Sequence, residues 1–83
     1  MTRDDIVTRI KRVLNEHARL ATDALELSAE DDLYDSGMSS HASVEVMLSL
    51  EAEFDIEFPD SMLSREVFQT VGAIADAIEQ LHE

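Results

Sequence analysis

The chain has 83 residues, 45% of them apolar, and no cysteine, which suits one small domain spanning residues 1–83 without a disulfide framework or a thiolate metal site. Its 19 acidic and 6 basic residues leave a formal charge of −13, which repels nucleic-acid phosphates and anionic lipid, since binding either requires neutralisation by Lys and Arg. No apolar run is long enough to span a bilayer, and Met1-Thr2-Arg3-Asp4-Asp5 lacks the apolar core of a signal peptide, so a cytoplasmic monomer is expected.

The first helix opens at Thr2-Arg3-Asp4-Asp5, a hydroxyl followed three residues on by an acid, the pattern of a capping box. Ile6, Ile10, Val13, Leu14 and His17 then recur at helical spacing and predict a helix over residues 3–18. Arg3, Arg9, Lys11, Arg12 and Arg19 fall in this region, and only Arg65 follows. Everything after Leu20 is therefore strongly acidic and suits a basic surface on another protein. Residues 21–38 form a connection long for so small a domain. Leu25, Leu27, Leu33 and Tyr34 are expected to pin it to the bundle as an ordered loop.

A second helix is expected from residue 39 or 40 through 54, with Val44, Met47, Leu48, Leu50 and Phe54 as its apolar contacts and Glu45, Glu51 and Glu53 on its surface. Pro59 disfavours helix at the residue before it and suits the first turn of a short third helix over residues 60–65. Val71, Ile74, Ala75, Ile78 and Leu81 form the apolar stripe of a last helix over residues 70–81, with Asp76 and Glu79 outside. No strand alternation competes, so the fold class is all-α, a small four-helix bundle.

Catalysis by the chain itself finds little support. Neighbours such as Ser40 and His41 point about 100° apart on a helix and do not share the hydrogen bond that activates a nucleophile. The size of the chain leaves no cleft expected beside them. Either Ser39 or Ser40 suits the N-cap of the second helix. Asp31, Asp32 and Asp35 before Gly37 suggest a calcium loop, yet counting from Asp32 puts Tyr34 at the third position and Ser43 where the closing Glu belongs. His17, His41 and His82 are scattered, with His17 expected at the edge of a buried face, and no metal site is expected. Met38 stands two residues before Ser40 and is expected to be partly exposed.

The run from Asp32 to Asp60, with Gly37-Met38-Ser39-Ser40 at its head and Asp55-Ile56-Glu57-Phe58-Pro59 at its end, resembles the acyl carrier protein family. The resemblance implies an acyl-carrier-like bundle, Ser40 as the residue carrying 4′-phosphopantetheine, and a phosphopantetheinyl transferase as a partner. It also implies that Val44, Glu45, Leu48 and Glu51 face partner enzymes, joined by Met38, Ser39 and His41 around the attachment serine. Fatty-acid carriers usually have Asp-Ser-Leu where this chain has Ser39-Ser40-His41, and Ala42 replaces another commonly acidic position, which points to a dedicated pathway. The segments from Gly37 to Val44, Val46 to Glu51, Glu57 to Leu63 and Arg65 to Phe68 are similar to small bacterial carriers served by stand-alone amino acid:carrier protein ligases related to class II aminoacyl-tRNA synthetases. That likeness implies a non-enzymatic carrier of an aminoacyl group, with glycine or alanine as cargo. An acyl carrier for fatty acid, polyketide or specialised lipid synthesis and an acidic interaction module with Ser40 as a mere cap are the alternatives.

Overall fold

The computed structural model describes residues 2–18, 20 and 23–82. Met1, Arg19 and Ala21, named above for the N-terminus, the basic group and the start of the long connection, lie outside the described residues. Among the described residues the order is α1 (Arg3–His17), a 3-10 turn (Ala24–Glu26), α2 (Ser40–Phe54), a second 3-10 turn (Asp60–Met62), α3 (Arg65–Phe68) and α4 (Val71–Leu81), with no strand.

Helix α1 starts where its sequence says it should. Thr2 Oγ1 accepts from the Asp5 amide at 3.2 Å, and Asp5 Oδ2 accepts from the Thr2 amide at 3.4 Å, so the short Asp still closes the capping box. Ile6, Ile10, Val13 and Leu14 are buried, and α1 packs against both α2 and α4. Arg3 fastens the far end of the chain to this helix, donating to Asp76 at 2.8 Å and Glu79 at 3.0 Å on the outer face of α4. Inside α4, Val71, Ile74, Ala75, Ala77 and Ile78 are buried, and Thr70 Oγ1 caps the helix by accepting from the Ala73 amide.

The connection before α2 is ordered by polar straps as well as apolar pins. Asn15 Oδ1 accepts from the Ala24 amide and Asn15 Nδ2 donates to Asp23, both at 2.8 Å, while Lys11 Nζ donates to the Leu27 carbonyl at 2.8 Å. Leu33 is fully buried and Leu27 and Tyr34 pack against the core. Leu25 does not: it is 59% exposed, and the small Ala24 takes the inward position of that turn.

Two further expectations are corrected. The predicted third helix over residues 60–65 is instead a 3-10 turn at Asp60–Met62 and a separate four-residue α3 at Arg65–Phe68. Phe68 is the anchor of that segment, buried with its ring edge-on to Phe58 at a centroid distance of 5.3 Å. On α2 the buried residues are Ala42, Val46, Leu50 and Phe54. Val44 and Leu48, expected as apolar contacts, are 51% and 56% exposed, because they sit two positions, about 200°, away from Val46 and Leu50 on the helical wheel.

Candidate functional site

The site is the entrance to α2, and the loop before it is built to hold that entrance in place. Asp32 is the organiser: Oδ1 accepts from the amides of Tyr34 at 2.9 Å and Asp35 at 3.2 Å, and Oδ2 accepts from Gln69 Nε2 at 2.8 Å. The Leu33 amide donates to the Gln69 carbonyl at 2.7 Å, so the loop is tied to the segment between α3 and α4 by side chain and backbone together. Hydrogen bonding to Gln69, with help from the Asp35 and Tyr34 amides and the Arg65 charge, holds the Asp32 carboxyl below its ordinary pKa against the opposing effect of desolvation.

Gly37 then turns the chain at φ 118°, a left-handed conformation that side chains rarely adopt. This is the physical content of a glycine three residues before the serine. Beyond it Met38 plunges inward; its amide donates to the Leu33 carbonyl at 3.0 Å and its side chain is 3% exposed. Met38 was expected to be partly exposed on a docking surface and is corrected to a core residue, since the turn at Gly37 directs it beneath the loop.

The two serines divide the work that either might have done. Ser39 is the N-cap, with extended backbone and its Oγ accepting from the Ala42 amide at 3.0 Å. Ser40 is the first helical residue and is exposed; its carbonyl accepts from Ser43 Oγ at 2.6 Å, while its own hydroxyl takes no part in the hydrogen bonds found among the described residues. An exposed hydroxyl with no capping task, at the start of a 15-residue helix, fits attachment of an anionic group. The helix end supplies partial positive charge there.

The neighbouring side chains follow from helix geometry. His41 is 89% exposed and reaches forward to Glu45, Nε2 to Oε1 at 3.9 Å, instead of engaging Ser40. Val44, Glu45 and Leu48 lie on the exposed surface of α2 with Ser39 and His41. Glu51 differs from them: it is half-buried and Oε2 accepts from the Phe58 amide at 2.8 Å, strapping the 55–58 loop to α2. One carboxylate oxygen of this residue, expected to face partners, is thus already engaged within the chain.

The expectation of no cleft also needs correction. An open pocket of about 360 Å³ lies beside Ser40, with Val44, Met47, Leu63 and Phe68 as its apolar lining and Tyr34 and Arg65 among its polar residues. Sequence reasoning passed over these last two as site residues. The signal for Arg65 was present, since it is the sole Lys or Arg after Leu20. Among the described residues no group of three or more His, Cys, Asp or Glu side chains is placed to hold a metal ion, and no helix is long and apolar enough to cross a membrane. The aspartates of the loop instead accept from amides, Asp31 from Ser28 and Asp32 as above.

Comparison with known proteins agrees with this geometry. The family model described as "Phosphopantetheine attachment site" matches residues 4–78. The aminoacyl carrier protein of Agrobacterium fabrum is 43% identical over 70 residues, covering 84% of this chain and 84% of that protein. The D-alanyl carrier protein of Lactobacillus acidophilus is 36% identical over 70 residues, covering 83% and 85%. A chain in the crystal structure of engineered Bradyrhizobium japonicum glycine:[carrier protein] ligase complexed with carrier protein from Agrobacterium tumefaciens and ATP superposes with a TM-score of 0.88 at 39% identity, covering 92% of this chain and 99% of that one. A family match over nearly the whole chain, and relatives well above 30% identity, place the protein without ambiguity: it belongs to the phosphopantetheine-attachment family of carrier proteins.

Proposed function

We propose that the chain is a single-domain aminoacyl carrier in which Ser40 bears 4′-phosphopantetheine and a stand-alone amino acid:carrier protein ligase loads a small amino acid, glycine first among them. When bound, the group supplies a terminal thiol on a flexible arm, which a cysteine-free chain otherwise lacks. The observation that carries the reading is the division of labour at the α2 entrance: Ser39 takes the cap and leaves the Ser40 hydroxyl exposed. A phosphopantetheinyl transferase is the partner that modifies Ser40. Ser39, His41, Val44, Glu45 and Leu48 form the docking surface around it, and the acidic charge of −13 speeds encounter with basic partner surfaces.

Glycine is favoured by the ligase complex whose carrier chain this protein resembles, and the D-alanyl carrier relative makes D-alanine the second candidate. We assign the protein no reaction of its own; the transferase and ligase supply the chemistry, in the cytoplasm. The test is to load the phosphopantetheinylated protein with a purified glycine:carrier protein ligase and ATP, and to read the product by intact mass. Addition of one glycyl group, removed by hydroxylamine as a thioester should be, is expected. Failure to accept any amino acid from such ligases, with malonyl loading by an acyltransferase in its place, would return the protein to the ordinary acyl carriers.

A further inference from the structure

Arg65 stands in a strongly acidic region, where its charge also acts on the Asp32 carboxylate. It is the only Lys or Arg between Leu20 and the end of the sequence. Its guanidinium carbon lies 4.1 Å from the centroid of the Tyr34 ring, a distance at which the ring's negative face attracts and orients it. Arg3 and Arg9 are both paired with carboxylates, whereas the guanidinium of Arg65 enters none of the hydrogen bonds or ion pairs found among the described residues. Its planar fork of donors is therefore held by stacking and left open to an acceptor. Tyr34, which holds it, is fixed in turn by its amide's bond to Asp32. Both residues line the pocket beside Ser40.

We infer that Arg65, stacked on Tyr34, is a positioning residue that pairs with the phosphodiester joining the prosthetic arm to Ser40. The inference rests on Ser40 being the attachment residue. A phosphodiester carries one negative charge and two free oxygens, the acceptor geometry a guanidinium matches with two donors. In a chain of charge −13 an added anion is repelled by the surrounding carboxylates, and Arg65 offsets that repulsion at the one place where the anion is attached. The pairing fixes the root of the arm over the pocket and sets the direction in which the arm leaves the carrier.

The test uses the phosphopantetheinylated protein, made with coenzyme A and a transferase and verified by intact mass. The 31P resonance of its phosphodiester and the 15N–1H Nε resonance of Arg65 are then recorded in the parent, Arg65→Gln, Arg65→Lys and Tyr34→Leu proteins. Expected are a shift of the Arg65 Nε resonance on modification of the parent, a displaced 31P resonance in Arg65→Gln, and a value between the two in Arg65→Lys, which keeps the charge without the fork. Raising salt should move the parent's 31P resonance toward that of Arg65→Gln, as screening weakens an exposed pair. Amide spectra of the unmodified variants report whether the fold is kept; Arg65 is exposed, so Arg65→Gln should keep it. An arm attached at Ser40 with the same 31P resonance in all four proteins would overturn the proposal while leaving the carrier reading intact. No arm on Ser40 at all would overturn both, and the mass measurement distinguishes that case before any resonance is recorded.

Discussion

Helices α4 and α2 are both apolar, yet they use their apolar residues differently. In α4 the large apolar residues fall on one side, Val71, Ile74 and Ile78 buried, with Asp76 and Glu79 outside and paired to Arg3. In α2 they fall on two: Val46, Leu50 and Phe54 enter the core while Val44 and Leu48 stand half exposed in solvent on the helix that Ser40 opens. A helix that serves only the bundle needs one apolar stripe, and a second stripe costs solubility without adding to the core. On the proposed reading this outer stripe of α2 is the docking surface, and α4 is scaffold alone.

The largest effects should separate those two stripes. Leu50→Ala and Ile74→Ala remove fully buried side chains and should each destabilise the fold by about 2–5 kcal/mol in urea denaturation. Leu48→Ala should leave stability within about 0.5 kcal/mol but lower kcat/KM for ligase charging by about fivefold or more, the effect of losing an interface anchor worth over ~1 kcal/mol. Equal stability losses for Leu48 and Leu50 would erase the distinction.

Substitutions at the α2 entrance sharpen it further. Gly37→Ala forces a side chain into a backbone at φ 118° and should cost about 1–3 kcal/mol, with a matching fall in the rate of phosphopantetheinylation as Ser40 loses its register. Ser39→Ala removes the cap bond to Ala42 and should cost ~1 kcal/mol, whereas Ser40→Ala should cost less than about 0.5 kcal/mol. Thermal unfolding of the two variants decides whether the serines divide their tasks as described.

The smallest expected effect is the acid response of the loop. Because Asp32 titrates below its ordinary value of 3.8 in the folded protein, chiefly through Gln69, its contribution is present above that value and is lost as pH falls below it through the folded pKa. Asp32→Asn should therefore flatten the loss of stability below about pH 4 while leaving its slope between pH 6 and 8 unchanged. An acid limb as steep in the variant as in the parent would remove Asp32 from its role as organiser of the loop.

Much of this was legible in the residues, and what was not has a physical cause. The α1 capping box, the α4 stripe and the α2 boundary follow from local chemistry, since caps and one-sided periodicity depend on residues within a few positions of each other. The inner face of α2 was misassigned in part because Val44, Met47 and Leu48 make as good a helical pattern as Val46 and Leu50, and only the positions of α1 and the loop choose between them. Leu25 and the split third helix misled for a similar reason: Asn15 and Asp23 set the first turn, and packing of Phe68 on Phe58 accompanies α3, contacts between neighbouring segments that helical periodicity does not report. The resemblance nominates Ser40 for the attachment, which stays a proposal, while which serine caps the helix was open in the sequence and is decided by the Ser39 bond to Ala42. Met38 was read as surface because its burial follows from the turn at Gly37, not from helical periodicity.

The central claim is that Ser40, and no other residue, carries the prosthetic group. Its most direct test is intact-mass spectrometry with peptide mapping of the parent, Ser39→Ala and Ser40→Ala proteins after incubation with coenzyme A and a broad-specificity phosphopantetheinyl transferase. One phosphopantetheine on the parent and on Ser39→Ala, mapped to Ser40, with none on Ser40→Ala, is the predicted result. An unmodified parent, or an arm retained by Ser40→Ala, would contradict the account.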